Sequence, residues 1–313
     1  MLRLAHRLLT QPIYYRFHES VDVSLLTLIQ KSLHEKTTSI IIADDVARFV
    51  DSGDVASGYR RVQGMCIKPP FSTCLIEWNW PRESAQSYVQ AGTFITSVPT
   101  NDATIIERHL GARPIDRDAS ANTGPAHDLL VMSTFFVERD GAKVHFFQNR
   151  MLVWLTKEGL FCDDGFLHPA EMSKDEYQEH RQGLRGFSIT ALMTLALLHC
   201  RNVQKVDVTS DEGPPAKWCR RQRVPELKYN VLRIDPNIGA KARADERRTE
   251  GDRSGKSLHV CRGHFAHFQD DGVSQGLFGR RQFGTFWIPA HARGSLEHGK
   301  VISTYNVKAP CSL

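Results

Sequence analysis

The run from Ser188 to Cys200 constrains the fold of this chain more than any other part of the sequence, because it is almost wholly apolar. Its length is typical of a helix and too short to span a bilayer. A helix that is apolar on all sides must be covered by protein on all sides. We therefore expect a central buried helix with a sheet packed against it.

Runs rich in β-branched and aromatic residues predict the strands of that sheet. Leu129–Glu138 and Lys143–Arg150 flank Asp140–Gly141, a dipeptide typical of tight hairpins. Further strands are expected at 151–155, 203–208 and 227–234, and 38–43 is either a buried strand or the start of a helix. Helices are expected at 21–33 and 173–185, after a first helix at the N-terminus. The predicted fold class is α+β, with a mixed or mostly antiparallel sheet, the buried central helix and a C-terminal strand pair.

The length of 313 residues, of which 41% are hydrophobic, allows a large core. We expect an α+β core at 1–236, a mobile basic loop at 237–256, and His/Arg-rich strands at 257–313 packed on the same core. The loop prediction follows from the near absence of large apolar residues in that segment. Seven scattered cysteines without a CxxC pair indicate reduced thiols, as in a cytoplasm.

Charge is distributed unevenly along the chain. Residues 1–216 carry 22 basic and 26 acidic side chains, a balance of −4, whereas residues 217–313 carry 18 basic and 9 acidic ones, a balance of +9. A basic third of a chain favours an anionic partner such as RNA, DNA or an acidic protein surface. A solubilising face with a basic loop explains the same numbers without any partner.

Side chains that bind anions or move protons are concentrated in two C-terminal runs that resemble paired strands. These candidate catalytic residues are His259, Arg262, His264, His291 and Arg293. Arginine offers a planar donor fork to phosphate or carboxylate, and histidine exchanges a proton near neutral pH. Phe265 and Trp287, in the same runs, are candidates to stack on a base or a peptide side chain.

Three explanations of this cluster remain open. The histidines and arginines are packing residues, or they bind RNA or an acidic peptide, or they cleave RNA without metal through its own 2′-hydroxyl. A metal site at Cys261, His264 and His267 is disfavoured, because strand alternation places His264 on the opposite face from the other two. We expect no metal and no cofactor.

A second basic segment follows Pro214–Pro215. Its candidate binding residues are Lys217, Trp218, Arg220, Arg221 and Arg223. The prolines on both sides favour a loop over a helix here. Its residues are either a solvated surface or phosphate contacts with the indole as a stacking platform.

The C-terminal pattern resembles proteins of phages and other mobile elements. The shared residues are His259, Arg262, Gly263, His264 and Phe265, then Leu277–Phe278–Gly279, then Trp287, Pro289, His291, Arg293 and Gly294. The apolar helix and the block from Lys217 to Ile234 also fit that group.

The group is related to type V-A anti-CRISPR proteins, which recognise the nascent N-terminal peptide of their target and cause decay of its mRNA. The resemblance implies a counter-defence or host-takeover regulator that binds a target polypeptide, with RNA or the ribosome as a further partner. It implies action in a bacterial cytoplasm and no membrane partner. A metal-independent ribonuclease or an RNA-binding protein is the alternative.

Overall fold

The computed structural model describes residues 2–16, 23–51, 55–80, 88–99, 128–138, 144–147, 151–166, 174–234, 257–261, 264–268, 284–288, 291–293 and 295–300. The expected loop at 237–256, the Asp140–Gly141 turn and Arg262 lie outside these residues.

Seven helices occur in the described residues. They are α1 (Leu4–Thr10), α2 (Val23–His34), α3 (Asp44–Asp51), α4 (Val55–Val62), α5 (Lys174–Leu198), α6 (Thr209–Glu212) and α7 (Ala216–Gln222). No described helix has the length and apolar character needed to cross a membrane.

The strands fall into two groups along the chain. The first group is β1 (Ile13–Arg16), β2 (Ser39–Ile42), β3 (Thr73–Asn79), β4 (Tyr88–Pro99), β5 (Asp128–Glu138), β6 (Val144–Phe147), β7 (Met151–Leu155), β8 (Phe161–Phe166), β9 (Val203–Asp207) and β10 (Tyr229–Ile234). The second group is β11 (Ser257–Cys261), β12 (His264–Phe268), β13 (Gly284–Ile288), β14 (His291–Arg293) and β15 (Ser295–Lys300).

The first ten strands form one mixed sheet in the order β1-β6-β5-β4-β3-β2-β10-β9. Strand β5 is long enough to pair with β6 at one end and β7 at the other, and β8 follows β7. The pairs β1–β6, β2–β3 and β2–β10 are parallel, whereas β3–β4, β4–β5, β5–β6 and β7–β8 are antiparallel. The α+β class with a mixed sheet is therefore confirmed.

Both faces of the central strands are covered. Ile40 and Ile42 of β2 belong to a core cluster with residues of α1 and α2, and Ile41, which points the other way, is also buried. Helix α5 packs against α3 and α4 and contacts β3, β4, β5 and β7. Its residues Ile189 to Leu197 are buried, which confirms the predicted central helix.

Helix α5 also joins two segments that the sequence analysis treats separately. The polar segment predicted at 173–185 and the apolar run from Ser188 form one uninterrupted helix. The predicted helix at 21–33 and strands at 151–155, 203–208 and 227–234 are confirmed within a residue or two, as is the antiparallel pairing of β5 and β6, and 38–43 contains a strand.

Residues Lys217 to Gln222 lie in helix α7, so the prediction of a loop is wrong. Pro215 is the residue that precedes the first turn, where a proline removes no helical hydrogen bond. Arg223 ends the helix in the left-handed conformation, with φ of 56°, and Pro225 follows two residues later. The prolines delimit this helix and do not prevent it.

The chain divides into two compact units, and the expected packing of 257–313 on the core at 1–236 stays a prediction. The first is Met1–His199 with Val203–Arg233, and the second is Cys200–Asn202 with Ile234–Leu313. In the second unit β12 and β13 form a two-stranded sheet, and β14, β11 and β15 form a three-stranded one.

Candidate functional site

The predicted C-terminal strand pair is present, as two antiparallel ladders in one register. Strand β11 pairs with β14, with Cys261 opposite His291, and β12 pairs with β13, with His264 opposite Ile288. His264 is three residues after Cys261, and its partner Ile288 is three residues before His291, the partner of Cys261. The two ladders have the register of one hairpin, and we call the four strands β11, β12, β13 and β14 together the C-terminal hairpin.

The register brings some of the predicted catalytic residues together. His259 lies opposite Arg293, and His291 lies opposite Cys261. His264 is in the neighbouring ladder, where its side chain is exposed. Whether all five candidates converge stays a prediction, since Arg262 is outside the described residues.

Strand β13 is the buried strand of the β12–β13 pair. Phe286, Trp287 and Ile288 are all buried, and Trp287 is only 5% exposed. The rings of Phe265 and Trp287, which are opposite one another, meet edge to face with centroids 4.9 Å apart. Trp287 thus anchors the hairpin, and the half-buried Phe265 is the more accessible of these two predicted binding residues.

The outer edge of β13 is fixed by the segment that follows α5. The Asn202 side chain accepts a hydrogen bond from the Trp287 N–H at 3.0 Å and donates one to the Trp287 carbonyl at 2.7 Å. The Arg201 N–H donates to the Thr285 carbonyl at 2.9 Å. Asn202 is itself 1% exposed, so this amide stands in for a neighbouring strand.

These contacts determine which backbone groups of β12 face outward. Because the groups of Thr285 and Trp287 point away from β12, the residues opposite them are in non-hydrogen-bonded pairs. Those residues are His267 and Phe265. Their N–H and C=O groups point away from β13, along an edge on which no other described strand lies.

Exposed histidines lie along this same strand. His264 and His267 are exposed, and Nδ1 of His267 is 3.1 Å from the Thr285 hydroxyl. Across the described part of the chain, no group of histidines, cysteines and carboxylates is arranged to hold a metal ion. The edge of β12 is thus equipped with hydrogen-bonding backbone and polar side chains.

Helix α7 presents the second predicted surface. Lys217, Arg220, Arg221 and Arg223 are all exposed. Trp218 is half-buried, and its ring meets the buried His6 edge to face at 5.7 Å. The four cations can contact a polyanion, whereas Trp218 mainly attaches the helix to α1.

Sequence reasoning missed a buried network that begins at Arg3. Its guanidinium binds both oxygens of Asp44 at 3.1 and 3.2 Å and Glu212 at 2.6 Å. Glu77 is buried beside it and accepts the Ala5 N–H at 2.8 Å. Burial raises the pKa of Glu77 to about 7, against the attraction of Arg3. The sequence feature that could have indicated this network is Glu77, a carboxylate among the apolar residues of β3.

His6 extends this network on the same face of α1. Its Nδ1 is 2.5 Å from the Tyr229 hydroxyl, and its Nε2 is 3.8 Å from Sγ of Cys219. Burial lowers the pKa of His6 to about 4, so the ring is neutral at pH 7. All three side chains are buried, which makes this a structural network that attaches α1 to β10 and α7.

Comparison of the chain with models of known protein families, with curated proteins and with solved structures found no match. The functional assignment therefore depends on the geometry above and on the C-terminal sequence pattern.

Proposed function

We propose that this chain is a regulatory binding protein of the kind made by phages and other mobile elements. It binds a target polypeptide in extended conformation, at the stage of the nascent chain, and lowers the target's expression through decay of its mRNA. The observation that carries the proposal is the outer edge of β12, where the N–H and C=O groups of Phe265 and His267 face away from β13.

An edge of this kind binds peptides by strand addition. The peptide supplies the next strand, its backbone pairs with the edge, and its alternate side chains set specificity. A nascent chain is suited to this mode because it emerges without a fold of its own. The rigid support of β13 by Asn202 keeps the edge preformed, which reduces the ordering cost of binding.

Charge supports an acidic peptide as the occupant. Residues 234–313, the part of the chain that contains β12, carry 12 basic and 8 acidic side chains. His264 and His267 are exposed on the strand that would receive the peptide. Phe265, half-buried beside Trp287, offers an apolar contact between these two polar positions.

RNA is the second partner in this proposal. The exposed cations of α7 can contact phosphates of messenger or ribosomal RNA while the peptide is bound elsewhere. Phosphate contacts of this kind position a protein without reading sequence. Target choice would then reside in the peptide, and the RNA contact would strengthen binding at the ribosome.

The test is a pair of binding titrations with the purified chain at two salt concentrations. One uses a library of host N-terminal peptides and the other a random RNA pool. We expect tight, sequence-dependent binding to a subset of peptides, and RNA binding that weakens steeply with salt. Absence of peptide binding at both salt concentrations would contradict the proposal.

A cellular assay tests the consequence. A reporter gene is fused to the codons of the best-binding peptide, and a matched reporter carries synonymous codons. Both mRNAs should decay faster when the protein is present, because the peptide and not the RNA sequence is recognised. A reporter with a frameshifted peptide should be unaffected.

A metal-independent ribonuclease is the second candidate, favoured by the pairing of His259 with Arg293. A proton-transferring histidine beside an arginine is suited to phosphodiester cleavage. Cleavage of labelled RNA that resists EDTA and is lost in His259→Ala and in His264→Ala would favour this function over the binding one.

A further inference from the structure

The side chains of β12 divide between the two faces of the β12–β13 pair. The ring of Phe265 meets that of Trp287 edge to face, with centroids 4.9 Å apart. Nδ1 of His267 is 3.1 Å from the Thr285 hydroxyl, which is on the same face as Trp287. Ala266, between the two, belongs to the opposite face. The two residues whose backbone groups point outward therefore also share one face with their side chains.

A peptide paired with this edge alternates its side chains in the same way. The peptide residues that exchange hydrogen bonds with Phe265 and His267 are two positions apart, because β12 has one residue between these two. Residues directly opposite on paired strands point their side chains to the same face. Two peptide side chains, separated by one residue, would thus lie beside the Phe265 ring and the His267 imidazole.

The position opposite Phe265 favours a large apolar side chain. Phe265 is half-buried, and its contact with the buried Trp287 holds the ring in place. The part of the ring that is still accessible can be covered by a neighbour on the added strand. Pairs of an aromatic with a β-branched or second aromatic side chain are among the stabilising cross-strand pairs.

The position opposite His267 favours a carboxylate. His267 is exposed, and when the Thr285 hydroxyl donates to its Nδ1, the ring carries its N–H at Nε2. A carboxylate is an acceptor at every lone pair, so it matches this donor in either charge state of the ring. The positive balance of residues 234–313, with 12 basic and 8 acidic side chains, acts in the same direction.

We propose that the edge of β12 selects peptides in which an acidic residue is followed, two positions later, by a large apolar residue. This inference rests on the proposed function and names the class of peptide that the site takes. The order follows from antiparallel pairing, which is the more stable kind per residue. In that pairing the peptide residue opposite His267 precedes the one opposite Phe265.

The test uses capped synthetic peptides of about ten residues, built of threonine and serine, with the purified full chain. The probe carries glutamate and isoleucine with one residue between them. It should bind about threefold or more tightly than peptides with glutamine for glutamate or serine for isoleucine. Peptides with the two residues adjacent, or in reverse order, should bind as weakly, because only one of the two side chains then meets its partner.

Variants of the chain assign the acidic preference to one histidine. In His267→Ala the affinity ratio between the glutamate and glutamine peptides should fall to about one. The matched control is His264→Ala, at the other exposed histidine of β12, which is on the opposite face. This control should keep the wild-type ratio, whatever its effect on the affinities themselves. Circular dichroism verifies that each variant is folded.

The outcomes separate this inference from the proposed function. Peptides that bind with no regard to the spacing or order of the two residues would overturn the inference and leave strand addition in place. A glutamate preference that survives His267→Ala would do the same. If none of the peptides binds, and no host N-terminal peptide binds either, both the inference and the proposed function are wrong.

Discussion

Asp164 is the side chain whose change we expect to cost the most stability. It lies in β8 with its side chain 1% exposed, and it accepts hydrogen bonds from Arg181, Arg185 and Tyr59. Arg181 binds Oδ1 at 2.5 Å, Arg185 binds Oδ1 and Oδ2 at 2.7 Å, and Tyr59 binds Oδ2 at 2.5 Å. One carboxylate therefore joins β8 to α4 and α5.

The substitution Asp164→Asn keeps the size of the side chain and removes its charge. Removing one partner of a buried ion pair costs about 3–5 kcal/mol. The arginine side chains remain 20% and 30% exposed and can be partly rehydrated. We therefore expect the lower end of that range, a loss of about 3 kcal/mol in the free energy of unfolding.

Urea denaturation at pH 7, followed by tryptophan fluorescence, measures this loss. The matched control is Asp45→Asn, whose carboxylate is 93% exposed and pairs with Arg48 at 3.0 Å. A surface pair of this kind contributes about 0–1 kcal/mol, so the control should unfold nearly as the wild type does. A loss below about 1 kcal/mol for Asp164→Asn would refute the reasoning, since it would equal the surface value.

The contribution of Asp164 to the free energy of unfolding depends on pH. The hydrogen bonds from Arg185 and Tyr59 and the charges of both arginines outweigh burial and lower the pKa of Asp164. Its contribution is therefore present above the unfolded pKa, near 3.8, and is lost as pH falls through the lower folded value. The difference between wild type and Asp164→Asn should shrink only in acid.

Three further predictions concern the buried carboxylate, the hairpin and the basic helix. Burial raises the pKa of Glu77 to about 7 from 4.5, so wild-type stability should fall as pH rises between these values, and Glu77→Gln should remove that fall in urea denaturation at pH 5 and 8. A larger advantage of wild type at pH 8 would contradict this. Asn202→Ala leaves two groups of Trp287 without their partner and should cost about 1–3 kcal/mol, measured by the same method. Charge reversal of Arg220 and Arg221 should weaken RNA binding equally across sequences and reduce its salt dependence, and unchanged titrations would exclude α7 as the contact.

Much of the fold follows from local pattern in the sequence. The apolar run in α5 and the alternating strands β5 and β6 are recognised because their signal is contained within a few residues. Helix α7 does not follow from the local pattern, because flanking prolines favour a loop, although proline is accepted just before a first turn.

Long-range pairings account for what the sequence could not predict. The parallel pairing of β1 with β6 joins residues such as Ile13 and Val144, and nothing in either strand specifies the other. Arg3 meets Glu212 from 209 positions away.

The candidate site could be predicted from the sequence only in part. Strand spacing predicted the C-terminal hairpin, and the register confirms it. The role of Asn202 was not predictable, because it depends on a tertiary contact with Trp287 from a different part of the chain. That contact is also what defines the outward-facing groups of β12.

The most direct test of strand addition at β12 is an N-methyl scan of the best-binding peptide. Each peptide amide is methylated in turn, and the dissociation constant is measured with the full chain. Because only alternate amides face a neighbouring strand, affinity should be lost at every second position and retained at those between. The same scan with a helical or side-chain-only binding mode gives no period of two, and that result would contradict the account.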